Sequence, residues 1–383
     1  MESFPRGKAA IVGAATFGIG EAKGFDAIDI AVHATVRALA QAGLKPSDAD
    51  GLFICLPQDF LSGLTFAQYL GVHPKITDNN RTGGSAFLTH MIWAAMALEA
   101  GMCDVAVVAY GSVQRTAAGK LVSAARPDPF EGPYKPRLPV AAYALAAARH
   151  MHQYGTTPEH LAEVAVAARE WANLNPEAFD RGDLTIEDVL NARRVCDPFG
   201  LRDCCLVTDG AAAIVMVRAD RAKDLCKRPV HMLGGAAATF HNTISGMPDL
   251  TVTAASESGP RAFAQSGYGT KDMDVVELYD AFTINPILFL EDLGFCGKGE
   301  GGPFVADGKL RPGGGLAVNT NGGGLSCVHP GMYGLFTVVE AAQQIMGVAG
   351  ARQVKGANLG LAHGNGGFLS SQATVILGAP ETV

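Results

Sequence analysis

Apolar positions along the chain follow two alternating periods. Ala9–Ala14 and Gly51–Cys55 read as strands, whereas Ala27–Ala42 spaces its apolar residues as a helix does and stops at Gly43, so the pattern predicts an α/β fold. The pattern then returns. AQAGLKPSDADGLFI (40–54) reappears about 224 positions later as AQSGYGTKDMDVVEL (264–278), with Gly43 matching Gly267 and Asp48 matching Asp272. Each copy runs helix, glycine stop, Asp-containing turn, strand.

The following element repeats too. DNNRTGGSAFLTHMIWAAMALEAG (78–101) is a polar, glycine-rich turn leading into a helix, with a buried-type strand next at Val105–Ala109; NTNGGGLSCVHPGMYGLFTVVEAAQQIMG (319–347), followed by Asn358–Ala362, has the same form. The simplest packing is two copies of one α/β unit, residues 1–225 and 226–383, related by about a half-turn with their sheets buried between helices. Helix N-termini after the glycine turns then meet near the centre, where backbone N–H groups can hold an oxyanion. Between the copies an insertion spans about 113–202. It opens with the Pro-rich loop PDPFEGPYKPRLP (127–139) and continues with two expected helices, Val140–Tyr154 ending at Gly155 and Pro158–Asn173 capped by Thr156 or Thr157. Such a cap makes a wall for a substrate pocket. DGAAAIVMV (209–217) closes the first copy as a buried strand, and RADRAKDLCKRP (218–229) joins the halves.

Composition narrows the function classes. Of 383 residues, 48% are apolar and 17% charged, enough to bury sizeable cores without a long disordered tail, and a net charge of −7 argues against a nucleic-acid surface. The eight cysteines show no paired CxxC spacing, and adjacent Cys204 and Cys205 are a poor start for two separate disulfides, so all read as reduced thiols. MESFPRGKAAIVGAAT carries acid and base ahead of a short β-rich run, without a signal-peptide core, and no segment is apolar for the roughly 20 residues a membrane helix needs. The expected location is the cytoplasm. GAATFGIG (13–20) resembles a dinucleotide loop, but the second strand ends in Leu56-Pro57-Gln58 without a ribose-binding acid, which disfavours a redox cofactor. His150 and His152 cannot share a helix face, so no metal site is expected there.

Six runs together carry a family resemblance: YGTTPEHLAEVAVAAREWANLNPEA (154–178), TDGAAA (208–213), VVELYDAFT (275–283), LEDLGFCGKGEGGPF (290–304), NTNGGGLSCVHPGMYG (319–334) and LAHGNGGFLSSQATVIL (361–377). Over nearly its whole length the chain resembles the thiolase superfamily, in the branch of sterol carrier protein X thiolases and lipid-transfer thiolase-like proteins. The resemblance implies the five-layer αβαβα thiolase fold, a homodimer and action on coenzyme A thioesters. It also implies what is missing. The family's nucleophilic Cys falls at Arg81 or Thr82; its His-Asp-Cys-Phe run reads Tyr279-Asp280-Ala281-Phe282; its Gly-His-Pro run becomes Val328-His329-Pro330-Gly331-Met332-Tyr333-Gly334, one residue shorter; the tail keeps His363.

Thiolysis must park an acyl group on an activated nucleophile, which is absent at the expected place. A retro-aldol cleavage needs only an oxyanion hole and proton carriers. The pattern resembles the thiolase-like steroid side-chain-cleaving aldolases, which release a ketosteroid and a short acyl-CoA and work with a partner carrying an OB-fold and zinc ribbon. The expected reaction is therefore retro-aldol cleavage of a tertiary β-hydroxyacyl-CoA with a bulky steroid body, such as a 17-hydroxy steroid side-chain thioester, giving a ketone and propionyl-CoA. Coenzyme A enters only as part of the substrate, with no separate cofactor and no metal.

Tyr279, Tyr333, His329 and His363 are the catalytic candidates, and Arg81, Thr82, Asn319, Gly323, Gly324 and Gly366 the substrate-binding ones. The tyrosines are to carry protons, His329 is to cap a helix or donate to an oxyanion, and His363, in a glycine-rich turn after a strand, is to donate to an oxyanion. Asp280 reads as structural, and Asn319 and Asn321 as turn formers. Arg115, Lys120, Arg126, Lys135 and Arg137 are candidates for the coenzyme A phosphates. Two alternatives stand beside the aldolase: an acetyl-CoA acetyltransferase or thiolase with a relocated nucleophile such as Cys327, and a non-catalytic acyl-CoA-binding subunit.

Overall fold

Local signals place the helix ends. In the computed structural model, which describes residues 4–57, 59–117 and 128–383, the helices expected over 140–154 and 158–173 occupy those spans. Thr157 is the cap, taking the His160 amide on its hydroxyl at 3.4 Å, while the alternative Thr156 turns its hydroxyl to His150 Nδ1 at 2.8 Å. Gly43, Gly155 and Gly267 end their helices at φ of 67°, 75° and 76°, a backbone region that costs a glycine little.

The first half runs β1 (Ala9–Gly20), α1 (Ala27–Gln41), β2 (Gly51–Ile54), α2 (Ser62–Leu70), β3 (Ile76–Asp78), α3 (Ala86–Glu99) and β4 (Val105–Ser112). The cap follows as α4 (Val140–Tyr154), α5 (Pro158–Asn173), α6 (Ile186–Leu190) and the hairpin of β5 (Arg194–Cys196) and β6 (Phe199–Gly200), before β7 (Asp209–Arg218) and α7 (Ala219–Leu225). The second half runs β8 (Val230–Thr239), α8 (Ala255–Ser266), β9 (Val275–Leu278), α9 (Ile284–Asp292), α10 (Gly301–Val305), β10 (Ala317–Val318), α11 (Gly334–Met346), β11 (Leu359–Gly366) and β12 (Ser371–Gly378).

Among the described residues ten strands lie in the order β10-β9-β11-β12-β8-β1-β7-β4-β2-β3. Read outward from the middle, β1-β7-β4-β2-β3 and β8-β12-β11-β9-β10 are the same order twice. Among the described residues only Ala10 with His231 and Ile11 with Val230 pair across the junction. There the sheet folds over, because α3 and α11 pack on each other and on strands of both halves, while α1 covers the first half outside and α8 the second. The result is five layers, helix, sheet, helices, sheet, helix.

This layering explains the strands' continuous apolar runs. Along β1, Ala9 and Ile11 face the central helices and Ala10 and Val12 face the α1 side, so neither face meets water and no polar alternation is possible. Layering also brings the glycine turns together. A Cβ on Gly334, at the start of α11, would strike the Gly84 carbonyl ahead of α3, and one on Gly84 would strike the Tyr279 ring. Neither turn tolerates a side chain where they meet. Among the described residues no helix is long and apolar enough to cross a membrane.

Candidate active site

Strand β9 delivers Tyr279 at its C-terminal end, where the Tyr279 amide donates to the His363 carbonyl at 3.1 Å and the Leu278 amide donates to Asn319 Oδ1 at 2.7 Å. Tyr333 sits immediately before α11, its ring stacked on Phe336 at 5.8 Å. The two tyrosine rings meet edge to face at 5.7 Å. His329 completes a triangle, edge-on to Tyr279 at 5.5 Å and parallel to Tyr333 at 6.3 Å. Its backbone is clipped to Thr208, the His329 amide donating to the Thr208 hydroxyl at 3.0 Å and the Thr208 amide to the His329 carbonyl at 3.3 Å. Three of the four residues proposed as catalytic therefore converge.

The fourth does not join them. His363 is fully buried in β11, with Nδ1 bonded to Thr374 Oγ1 and Nε2 to Gln372 Oε1, both at 2.9 Å. No nitrogen is left for an oxyanion. By contrast His329 Nε2 is buried and has no partner among the described residues, a costly arrangement unless something else binds there.

Burial sets the protonation states. It pushes the Tyr279 and Tyr333 phenols well above their ordinary range, so both are neutral at rest; at Tyr279 the backbone amide of Tyr333 acts in the opposite sense. Burial pushes His329 down to about 4 and His363 to about 3, keeping both rings neutral at pH 7. It pushes Asp280 up to about 7, against the N–H groups of Gly324 and Leu325.

The second glycine turn corrects one expectation. Gly323 donates its amide to Asn321 Oδ1 at 2.7 Å and Gly324 donates to Asp280 Oδ1 at 2.6 Å, while the Leu325 amide lies 3.3 Å from Asp280 Oδ2. These amides are spent within the protein and offer no oxyanion hole. Asn319, in the left-handed region at φ 52°, is the turn former expected of it. In the first turn Arg81 and Thr82 are exposed; Arg81 reaches over the rim to the Leu56 and Asp59 carbonyls, and Thr82 bonds Ser85 at 3.0 Å. Gly366 packs against the Thr82 carbonyl.

The remaining candidates lie apart. Cys327 is buried against Asn175, whose amide nitrogen lies 3.5 Å from the sulfur, and burial drives its thiol up, away from the thiolate a nucleophile needs. Arg115 is tied to Glu21 at 2.9 Å and lies over the Phe179 ring; Lys120 and Arg126 fall outside the described residues. A cavity of about 510 Å³ between α5 and the 307–314 loop is lined by Glu163, Glu170, Asp307 and Arg311, a polar lining that includes neither tyrosine and is unsuited to a bulky apolar substrate.

Sequence reasoning missed several neighbours. Tyr110, at the end of β4, donates to the Pro330 carbonyl and accepts from the Met332 amide at 3.1 Å, fixing the loop before Tyr333. Tyr143 of α4 packs its ring at a tilt of 33° against Phe282, centroids 4.5 Å apart, and accepts from Asn365 at 2.8 Å, fastening the cap to the tail turn. Nothing in the local pattern marks either, although Thr208 opened one of the recognised runs.

A thiolase C-terminal domain-like family model matches residues 235–379. Over 367 residues the chain is 35% identical to the 17-hydroxy-3-oxo-4-pregnene-20-carboxyl-CoA lyase of Mycobacterium tuberculosis, covering 90% of this chain and 92% of that one. It is 33% identical over 374 residues to an acetyl-CoA acetyltransferase of Methanothermobacter thermautotrophicus, covering 94% and 96%. Among solved structures, the Ltp2-ChsH2(DUF35) aldolase matches with a TM-score of 0.89 at 32% identity over 98% of both chains. The chain belongs to the thiolase superfamily, in its sterol carrier protein and lipid-transfer thiolase-like branch. Relatives in that branch are named as a lyase and as an aldolase.

Proposed function

We propose that this protein cleaves a β-hydroxyacyl-CoA by a retro-aldol reaction, with a tertiary hydroxyl on a steroid body as the preferred substrate. The observation that carries the reading is the convergence of Tyr279, Tyr333 and His329 in a protein whose first glycine turn has no thiol and whose second keeps Cys327 buried and protonated. Such a site favours moving protons and stabilising charge over forming a covalent acyl group.

In the reaction a base takes the hydroxyl proton, the alkoxide collapses to a ketone, and the breaking carbon–carbon bond leaves its electrons on the thioester oxygen as an enolate. A proton then reaches the enolate carbon, giving propionyl-CoA from a 17-hydroxy steroid carboxyl-CoA. The unpartnered Nε2 of neutral His329, in its protonated tautomer, is the donor available to the enolate oxygen. One phenol of the pair, as its phenolate, takes the hydroxyl proton and returns it to the enolate carbon. Bringing a free tyrosine from about 10 to about 7 takes roughly 4 kcal/mol in favour of the phenolate, and burial makes the requirement larger. The Tyr333 amide and the N-terminus of α11 offset part of it at Tyr279.

The same reading includes a cytoplasmic homodimer and a partner with an OB-fold and zinc ribbon, in keeping with the DUF35 protein named with the solved relative. Support for a dimer comes from β3, an edge strand of the sheet, and from Phe60, Leu61, Leu64, Trp93 and Met96, exposed apolar side chains around α2 and α3. No separate cofactor is assigned.

The test is incubation with a 17-hydroxy steroid carboxyl-CoA, with and without OB-fold partners. Mass spectrometry should find the ketone and propionyl-CoA in equal amounts. The similarity to an acetyl-CoA acetyltransferase keeps a second reading in play, acyl transfer through a relocated thiol. That reading requires a covalent acyl adduct, which intact-protein mass would reveal and which an aldolase does not form. Thioester binding without turnover in any reconstituted mixture would instead indicate a non-catalytic subunit.

A further inference from the structure

The buried turn ahead of α11 contains a side chain with no role in the mechanism so far. Asn321 is 6% exposed, and its amide oxygen accepts two hydrogen bonds, from the Gly323 amide at 2.7 Å and from the Tyr333 hydroxyl at 3.0 Å. We propose that Asn321 is a positioning residue: it holds the hydrogen of the Tyr333 hydroxyl, so that the phenol oxygen meets substrate as an acceptor. The inference rests on the tyrosine reading of the site and adds to it.

Hydrogen-bond chemistry fixes the direction. An amide oxygen only accepts, so the bond obliges Tyr333 to donate. The Gly323 amide also settles which end of the Asn321 side chain faces Tyr333, since a backbone N–H needs the oxygen there. With its one hydrogen occupied, the Tyr333 oxygen has only lone pairs left to present. That is the polarity required to accept a hydrogen bond from the substrate hydroxyl and orient it for the base; a phenol that keeps its own hydrogen takes up no second proton.

The turn is clamped from both sides. Asp280, next to Tyr279 in sequence, takes the Gly324 amide at 2.6 Å, and Asn175 of the cap donates to the Asn321 carbonyl at 2.9 Å. Asn319 meanwhile holds the Leu278 amide at 2.7 Å, so the same turn locates the strand end that carries Tyr279. Tyr279 is held less firmly, its hydroxyl donating to the Gly331 carbonyl at 3.3 Å. Both phenols thus spend their hydrogen on a protein oxygen, and the Tyr333 bond to a side chain is the shorter.

Steady-state and single-turnover cleavage of the 17-hydroxy steroid carboxyl-CoA test this with Asn321→Ala, Asn321→Asp, Tyr333→Phe and the double variant Asn321→Ala/Tyr333→Phe. Loss of alignment predicts that Asn321→Ala lowers kcat by about tenfold to a hundredfold with KM changed less than about twofold. Asn321→Asp, which keeps an acceptor oxygen, should restore kcat to within about threefold, and the double variant should lose no more than Tyr333→Phe alone. Losses that multiply in the double variant, or an Asn321→Ala effect confined to KM, would overturn the proposal. If Asn321→Ala does not fold, a kcat for Asn321→Asp as low as that of Tyr333→Phe would overturn it too. Full activity of Tyr333→Phe is the separate result that removes the tyrosine reading itself, and this proposal with it.

Discussion

The two glycine turns are copies of one structural unit and have opposite fates. In the first, Arg81 and Thr82 are exposed, and the polar groups serve local ends: Asn80 bonds Thr89, and Arg81 fastens the rim at Leu56 and Asp59. In the second, residues 318–330 are all buried, and the turn assembles Tyr333, His329 and, through Asn319, the strand end bearing Tyr279. Burial leaves the second turn with neutral phenols and a neutral imidazole, because desolvation penalises ionised groups that lack a partner; the proposed function assigns the chemistry to these groups.

Substitution of either tyrosine should show the sharpest contrast between the turns. Tyr279→Phe and Tyr333→Phe are each expected to lower kcat by about 10²–10⁴ while the thermal midpoint moves by only a few degrees, measured by thioester cleavage and calorimetry. Next is His329→Ala, for which removal of an oxyanion donor predicts a loss of about 10²–10³. Wild-type turnover in that variant would move the centre elsewhere.

A third prediction concerns pH and reaches under both turns. His90, on α3 beneath the first turn, and His329 and His363 beneath the second are held by burial at about 4, 4 and 3. Each stays neutral in the fold while the unfolded chain takes up a proton below about 6.5, so stability should fall as the pH drops from about 6.5 towards 4. Thermal midpoints across that range should show a shallower slope in His329→Asn; an unchanged slope would mean the ring protonates in the fold as freely as in water. Asp280, raised to about 7, has the opposite sign: the fold favours its protonated form, and this contribution is lost as the pH rises from about 4 to 7. Asp280→Asn should flatten that limb.

The smallest effects should come from the residues outside the cluster. Arg81→Ala, at an exposed rim, is expected to change stability by about 1 kcal/mol or less and kcat by less than about threefold. Cys327→Ser should leave kcat within about twofold, and intact mass should show no acyl adduct on the unmodified protein. A dead Cys327→Ser that remains folded would revive the acyltransferase.

Much of the scaffold was legible because its determinants are local. Gly43, Gly155 and Gly267 mark the helix stops they form, and Thr157 with Pro158 starts α5 as its residue types imply. Tyr279 and Tyr333 could be singled out because they stand where the family keeps reactive side chains. The hydrogen-bond assignments were not legible. Gly323 and Gly324 read as free donors until Asn321 and Asp280 were seen to occupy them, and His363 read as a donor until Thr374 and Gln372 took both nitrogens. Tyr110 reaches the Met332 amide from 222 positions away, and Tyr143 meets Asn365 from a similar distance, separations that no periodicity encodes.

By itself the amino-acid order determined the twofold repeat, the α/β layers and the absence of a thiol ahead of the first central helix. These follow from spacings within a few turns of chain, where apolar period, cap and glycine act on their own neighbours. The folded packing alone decided which polar groups are left free, leaving His329 Nε2 without a partner while closing off His363, Gly323 and Gly324. A donor's availability depends on every acceptor that tertiary contact brings within about 3 Å, and those acceptors come from distant parts of the chain.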